Sequence, residues 1–98
     1  MRRRAARPIM PEVHVPSRYR VPTRGEGRIE VDAESVRGCI EAVEARYPGF
    51  RELILNARGE LHPFSKLFVN GEPLERNALD TPVAADDVIA VLAPTAGG

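Results

Sequence analysis

The chemistry on offer in this chain is concentrated in its last two residues. Gly97 and Gly98 close the sequence and would carry a free α-carboxylate. Neither has a Cβ, so the terminal carbonyl is unhindered and could thread a narrow channel. An α-carboxylate titrates at about 3.3–3.7 and is therefore anionic, able to attack the α-phosphate of a nucleotide. The acyl-adenylate so formed is electrophilic, and a sulfur or amine nucleophile could take the acyl group. No charged side chain occurs between Val88 and Gly98. Pro94 ends the apolar run Val88–Ala93, so residues 95–98 are expected to project as a thin, flexible arm that reaches about 13–14 Å when extended. A frayed terminus without a role is the competing reading. The tail alone does not choose between them.

The remaining reactive residue types lack the company that chemistry needs. Cys39 is the single cysteine, which excludes an internal disulfide framework and a cysteine-based zinc cluster. It borders an apolar helical stripe and reads as a small core residue rather than a nucleophile or persulfide holder. His14 and His62 have no carboxylate at ligand spacing, so no metal is expected. Ser17, Ser35 and Ser65 sit outside any G-x-S-x-G setting. Gly25-Glu26-Gly27 lacks the following lysine and helix of a phosphate cradle and reads as a turn. Asp86-Asp87 reads as a cap on the turn before the last strand. Phe64, Leu67 and Phe68 lie near an Asn-Gly turn and are expected to supply an apolar partner surface. Alternation sends Leu67 and Phe68 to opposite sides of a strand.

Ninety-eight residues, 43% of them apolar, suffice for one domain with a modest core. With five aromatics and no Trp, that core must come from Val, Ile, Leu and Ala. No apolar run approaches the roughly 18 residues of a membrane span, and the start MRRRAARPIMPE has no apolar stretch of a secretory signal. A reducing, cytoplasmic setting follows from the cysteine usage. The zero net charge hides a division: residues 1–28 hold eight arginines against two glutamates, and residues 29–98 hold six basic against twelve acidic groups. Arg2, Arg3, Arg4 and Arg7 could form a nucleic-acid arm. The run is short and has no interleaved aromatics, so it reads instead as an extension, or as a start upstream of Met10.

The elements that must position the tail follow from periodicity. Glu12–Val15 alternates polar and apolar residues, as does Arg28–Asp32, which predicts a hairpin over 12–32 with a long loop. Tyr19–Val21 is expected to continue extended before Pro22. Ser35 is placed to cap a helix whose stripe is Val36, Ile40, Val43 and Tyr47, stopped by Pro48-Gly49. Gly38 inside the helix would allow a close approach of the sheet. Phe50–Leu55 suits one helical turn over the core. Leu67-Phe68-Val69-Asn70-Gly71 predicts a type I′ hairpin, with Pro73 confining the return strand to an edge. Val88–Ala93 suits a strand with both faces covered or one central in a sheet. The predicted order is β-β-α-(short helix)-β-β-β, an α+β fold with one main helix on one face of a mixed sheet. The first hairpin and the last strand would lie centrally. The divisions expected are a flexible basic extension over 1–11, a folded domain over 12–94 and a tail over 95–98.

Val69-Asn70-Gly71, Leu79-Asp80-Thr81-Pro82-Val83-Ala84-Ala85-Asp86-Asp87-Val88 and Pro94 to Gly97-Gly98 resemble the ubiquitin-like sulfur carrier proteins, the group of the molybdopterin synthase small subunit and the thiamine sulfur carrier. Ser35–Pro48 fits the same pattern, and the likeness covers about residues 12–98. The fold it implies is the β-grasp. Val15-Pro16, Arg20, Pro22-Thr23, Gly59–His62 and Phe64 are most similar to the carriers that serve cysteine synthesis. The resemblance implies a carrier rather than an enzyme, with no bound cofactor. A ubiquitin-activating-type enzyme would use ATP and Mg²⁺ to adenylate Gly98, which then becomes a thiocarboxylate. Gly97 would give access, and Ala96 and Thr95 would belong to the arm. The implied acceptor is a sulfur-accepting synthase, in the cysteine branch a pyridoxal-phosphate-dependent cysteine synthase with a trimming metalloprotease. Molybdopterin or another cofactor or natural product is the alternative destination. A protein modifier forming isopeptide bonds through Gly98 would use the same adenylate, and a nucleic-acid-binding domain is the remote alternative.

Overall fold

The structure is a computed structural model that describes residues 10–92. Its strands β1 (Glu12–His14) and β2 (Arg28–Glu30) pair antiparallel, with Val13 opposite Ile29. Both of these side chains are buried, while the outward positions between them carry charge. The chain between the strands does not stay extended, as Tyr19–Val21 was expected to do. It turns through a 3-10 helix over Ser17–Tyr19, where the Tyr19 N–H donates to the Pro16 carbonyl at 2.9 Å. That turn carries the Tyr19 ring into the core. Burial of an aromatic ring outweighs the weak local preference for strand.

Helix α1 (Val36–Arg46) starts at Ser35, whose hydroxyl accepts the Gly38 N–H at 2.9 Å. Val36, Cys39, Ile40 and Val43 form its buried face. Gly38 serves the cap rather than the sheet. A Cβ there would lie 3.1 Å from Ser35 Oγ and 3.4 Å from Ala33 Cβ. The unpaired N–H groups that begin any helix are met here by a distant loop: Val36 donates to the Thr81 carbonyl at 3.0 Å and Arg37 to that of Leu79 at 2.7 Å. Helix α2 (Arg51–Ile54) follows a reversal at Gly49 (φ +105°). The Glu44 carboxylate accepts the Arg51 N–H at 2.8 Å and fixes the start of α2, so that Phe50, Ile54 and Leu55 close the core.

Strands β3 (Lys66–Val69) and β4 (Glu72–Pro73) flank Asn70 and Gly71, both at positive φ (52° and 86°), as a type I′ turn requires. Strand β5 (Val88–Leu92) runs parallel to β1 and antiparallel to β3. The sheet order is β2-β1-β5-β3-β4, the mixed β-grasp arrangement, with α1 on one face. Two expectations need correction. Of the first hairpin only β1 is internal, and β2 is an edge strand. Strand β5 is central, as expected, with one face covered: Ile89 and Val91 are buried while Leu92 is 51% exposed. The folded part begins before residue 12, because Pro11 is buried and its carbonyl accepts the Val31 N–H at 3.0 Å.

Replacing Ser35 by Ala removes the only side-chain cap of α1. It should cost about 1 kcal/mol, read as a lower denaturant midpoint at unchanged m-value. An unchanged midpoint would contradict the role given to the cap.

Candidate functional site

The tail expected to carry the chemistry grows out of β5. Thr95, Ala96, Gly97 and Gly98 lie outside the described residues. The structure does describe the root from which they continue. Val13 and Leu67 lie abreast of Ile89 and Val91 in the neighbouring strands, and all four side chains are buried. Strand β5 is therefore held along both edges by backbone pairing and from beneath by the core. Leu92 is level with Lys66, the first residue of β3. Beside the root is a groove of about 570 Å³ lined by His14, Val15, Pro16, Arg20, Glu26, Gly27, Arg28 and Val91. Arg20 Nε donates to the Val15 carbonyl at 2.9 Å, and its guanidinium lies against Gly27 in the space a Cβ would occupy.

The expected partner-surface residues separate. Leu67 is 1% exposed and belongs to the core, so it is removed from that surface. Phe68, its neighbour, points the other way and is half-buried on the outer face. Phe64 is 55% exposed in the loop before β3, and its ring stacks on His62 with centroids 5.0 Å apart. Arg76 ties this loop down by donating to the carbonyls of Leu61 (2.8 Å) and His62 (2.6 Å). The apolar character of the outer face comes also from Val88, Ala90 and Leu92, which sequence reading missed as surface residues. The signal was the same alternation that separates Leu67 from Phe68. An uninterrupted apolar run conceals it, because both faces of β5 are apolar.

The other reactive residue types are accounted for locally. Cys39 is fully buried, and burial first and the Asp87 charge second push its thiol up to about 11. Such a thiol is neutral and a poor nucleophile. His14 Nε2 lies 2.8 Å from Glu12 Oε1, and His62 Nε2 lies 2.9 Å from the Glu52 carbonyl. No group of three or more potential metal ligands occurs among the described residues. Asp87 accepts from the Ala84 N–H and the Asn70 side-chain amide, both at 2.8 Å. Those bonds hold its carboxyl below the usual carboxylate range and lock the turn that delivers the chain into β5. No helix among the described residues is long and apolar enough to cross a membrane.

Known proteins resemble this chain across nearly its whole length. The model of the ThiS family matches residues 13–98. The sulfur carrier protein CysO of Mycobacterium tuberculosis is 29% identical over 89 residues, 88% of this chain and 96% of the relative. A putative sulfur carrier protein of Archaeoglobus fulgidus is 34% identical over 76 residues, 74% of this chain and 86% of its own. A chain in the crystal structure of the Amycolatopsis orientalis BexX/CysO complex superposes with a TM-score of 0.82 at 29% identity. The match covers 90% of this chain and 99% of that one.

Cys39 should resist alkylation at about pH 8 in the native state and react freely once unfolded. Its raised pKa has a defined sign in stability. The neutral buried thiol contributes fully below 9.0, and that contribution is lost as pH rises through about 11. Native-state labelling as fast as that of the denatured chain would refute the assignment of Cys39 to the core.

Proposed function

The chain belongs to the ThiS family of ubiquitin-like sulfur carriers, and on that premise we propose that Gly98 is the residue that is activated and loaded. The observation that carries this reading is the family match, which runs through residue 98, on a fold whose central strand leads into the tail. The Gly98 carboxylate attacks the α-phosphate of ATP on a separate Mg²⁺-dependent adenylating enzyme and pyrophosphate leaves. Hydrosulfide then attacks the acyl carbon and displaces AMP, leaving a thiocarboxylate. The chain supplies no catalytic side chain to either step. Its part is mechanical: the clamped β5 root holds the domain still while Gly97, without a Cβ, lets the tip enter a narrow site.

The sulfur acceptor we propose is a biosynthetic synthase of the cysteine branch, dependent on pyridoxal phosphate, with a metalloprotease removing the added residue. The two CysO proteins described above support this branch at 29% identity. Molybdopterin or another cofactor pathway would draw on the same thiocarboxylate. Attack by a lysine amine in place of sulfur would make the chain a modifier, which heavier conjugates would reveal. The basic segment Arg2–Arg7 lies outside the described residues, and nucleic acid is not part of this proposal.

Deleting Gly98 should abolish ATP–pyrophosphate exchange by the adenylating enzyme and leave the unfolding transition unchanged, because the last buried side chain of β5 is Val91. Exchange that persists without Gly98 would overturn the proposal. Gly97→Val should slow exchange at least about tenfold through hindrance at the tip, with the thermal midpoint again unmoved.

A further inference from the structure

The chain holds fourteen lysine and arginine side chains, and thirteen of them are arginines. Lys66 is the one lysine. An arginine stays protonated in proteins and is no nucleophile, whereas a lysine amine is one once it is neutral. The protein therefore has a single side-chain amine, and the sheet sets it beside the root of the tail. Lys66 lies directly opposite Leu92 across the antiparallel β3–β5 pair. Opposite residues of such a pair share one face, with Cα atoms about 4.5–5.5 Å apart. That face is the outer one: Lys66 and Leu92 are exposed, while Leu67 and Val91 beside them are buried. The Lys66 amine makes no ion pair or hydrogen bond among the described residues, so it is not committed to another group.

Reach follows from covalent dimensions. Residues 93–98 continue from Leu92 and can span at most about 20 Å. The amine ends a flexible four-carbon stem next to the point where that arm begins. Six residues therefore suffice to bring the tip back to Lys66. Over a short flexible connection the effective concentration of one end at the other is on the order of millimolar, which favours closure within one molecule over attack on a second copy. Other nucleophiles are worse placed. Cys39 is fully buried, and Met10, the first described residue, lines a groove beside Val88 at the far end of β5. An arm threaded into a partner's channel cannot make the return, because its tip is then drawn away from the domain.

We propose that Lys66 is the acceptor for an activated Gly98 that leaves its activating enzyme without sulfur, and that the product is a ring closed over residues 66–98. The neutral Nζ attacks the carbonyl carbon of the Gly98 acyl-adenylate. The bond from that carbon to the phosphate oxygen breaks, AMP leaves with the electron pair, and the nitrogen gives its proton to water. Overall the chain loses one water, and ATP becomes AMP and pyrophosphate. The isopeptide bond consumes the terminal carboxylate, so a closed chain is withdrawn from further activation. The inference rests on the carrier reading for the source of activation and adds an acceptor within the same molecule. Sulfur loading has to outrun this closure whenever the adenylate is released.

The full chain prepared as a Gly98 thioester tests the acceptor without any enzyme. At mildly alkaline pH the wild type should give a monomer lighter by one water than the free acid. Its rate should not depend on protein concentration, and digestion should show residue 98 joined to Lys66. Lys66→Arg keeps the charge, removes the nucleophile and should only hydrolyse. Lys66→Arg with Glu30→Lys moves the lysine two strands across and four residues back along β5. That is about 16 Å from Leu92, and closure should be at least about tenfold slower. Both positions are exposed, so the thermal midpoint should hold. With the adenylating enzyme and ATP but no sulfur source, the wild type should form the same lighter monomer and Lys66→Arg should not. Hydrolysis alone, joined copies, acylation of the N-terminal amine, or equally fast closure by the relocated lysine would each overturn the proposal. So would ATP–pyrophosphate exchange that yields no lighter chain. A chain that closes as a thioester yet supports no exchange would keep Lys66 as the acceptor and remove the carrier reading instead.

Discussion

The structure depends on how β5 is held. Its backbone pairs in parallel with β1 on one side and antiparallel with β3 on the other. Ile89 and Val91 lock its lower face into a core that also takes Val13, Leu67, Ile40 and Phe50. A two-strand or edge arrangement would leave one row of N–H and C=O groups unpaired, and the strand could slip or fray. Central pairing removes that freedom. The last described residue of β5, Leu92, is therefore a fixed point from which the proposed reactive tip continues.

The other elements serve that clamp. The Asn70-Gly71 turn sets the register of β3 against β5, and the Asn70 side chain extends it: its Oδ1 accepts the Val88 N–H at 2.9 Å while its amide donates to Asp87. Asp87 in turn holds Ala84, so the bend into β5 is closed by side chains on both sides. Helix α1 covers the inner face, and its first N–H groups are anchored to the loop at 79–81 that leads back toward the same strand. Arg37 adds a hydrogen bond to Asp80 at 2.9 Å and one to the Gly59 carbonyl at 2.7 Å. Helix α1 thus helps to fix the approach to β5.

Much of this was legible in the sequence because local and tertiary demands agree. Ser35, the Val36-Ile40-Val43 stripe and Asn70-Gly71 each state one preference, and packing has no reason to override it. Legibility failed where burial decided. Tyr19 looked like part of an extended segment, yet its ring is worth more in the core than its backbone is in a strand. Gly38 looked like a packing contact, yet it is the residue that leaves room for its own cap. Leu67 could not be separated from Phe68 without knowing which face α1 covers. The outer surface was the least legible part, since Arg28, Glu30, Glu12 and Lys66 are distant in sequence and become rows only through register. The chemistry proposed for Gly98, which lies outside the described residues, was read from residue type alone, and the family match that runs to residue 98 supports it.

The central claim is that the chain ends in a carboxylate made to be converted, with the fold acting as its handle. Intact-mass spectrometry of the chain after incubation with its adenylating enzyme, ATP, Mg²⁺ and a sulfur source tests this most directly. The account predicts a gain equal to the exchange of one oxygen for one sulfur, located on residue 98 by fragmentation. An unchanged mass, or a sulfur found on Cys39 instead, would contradict it.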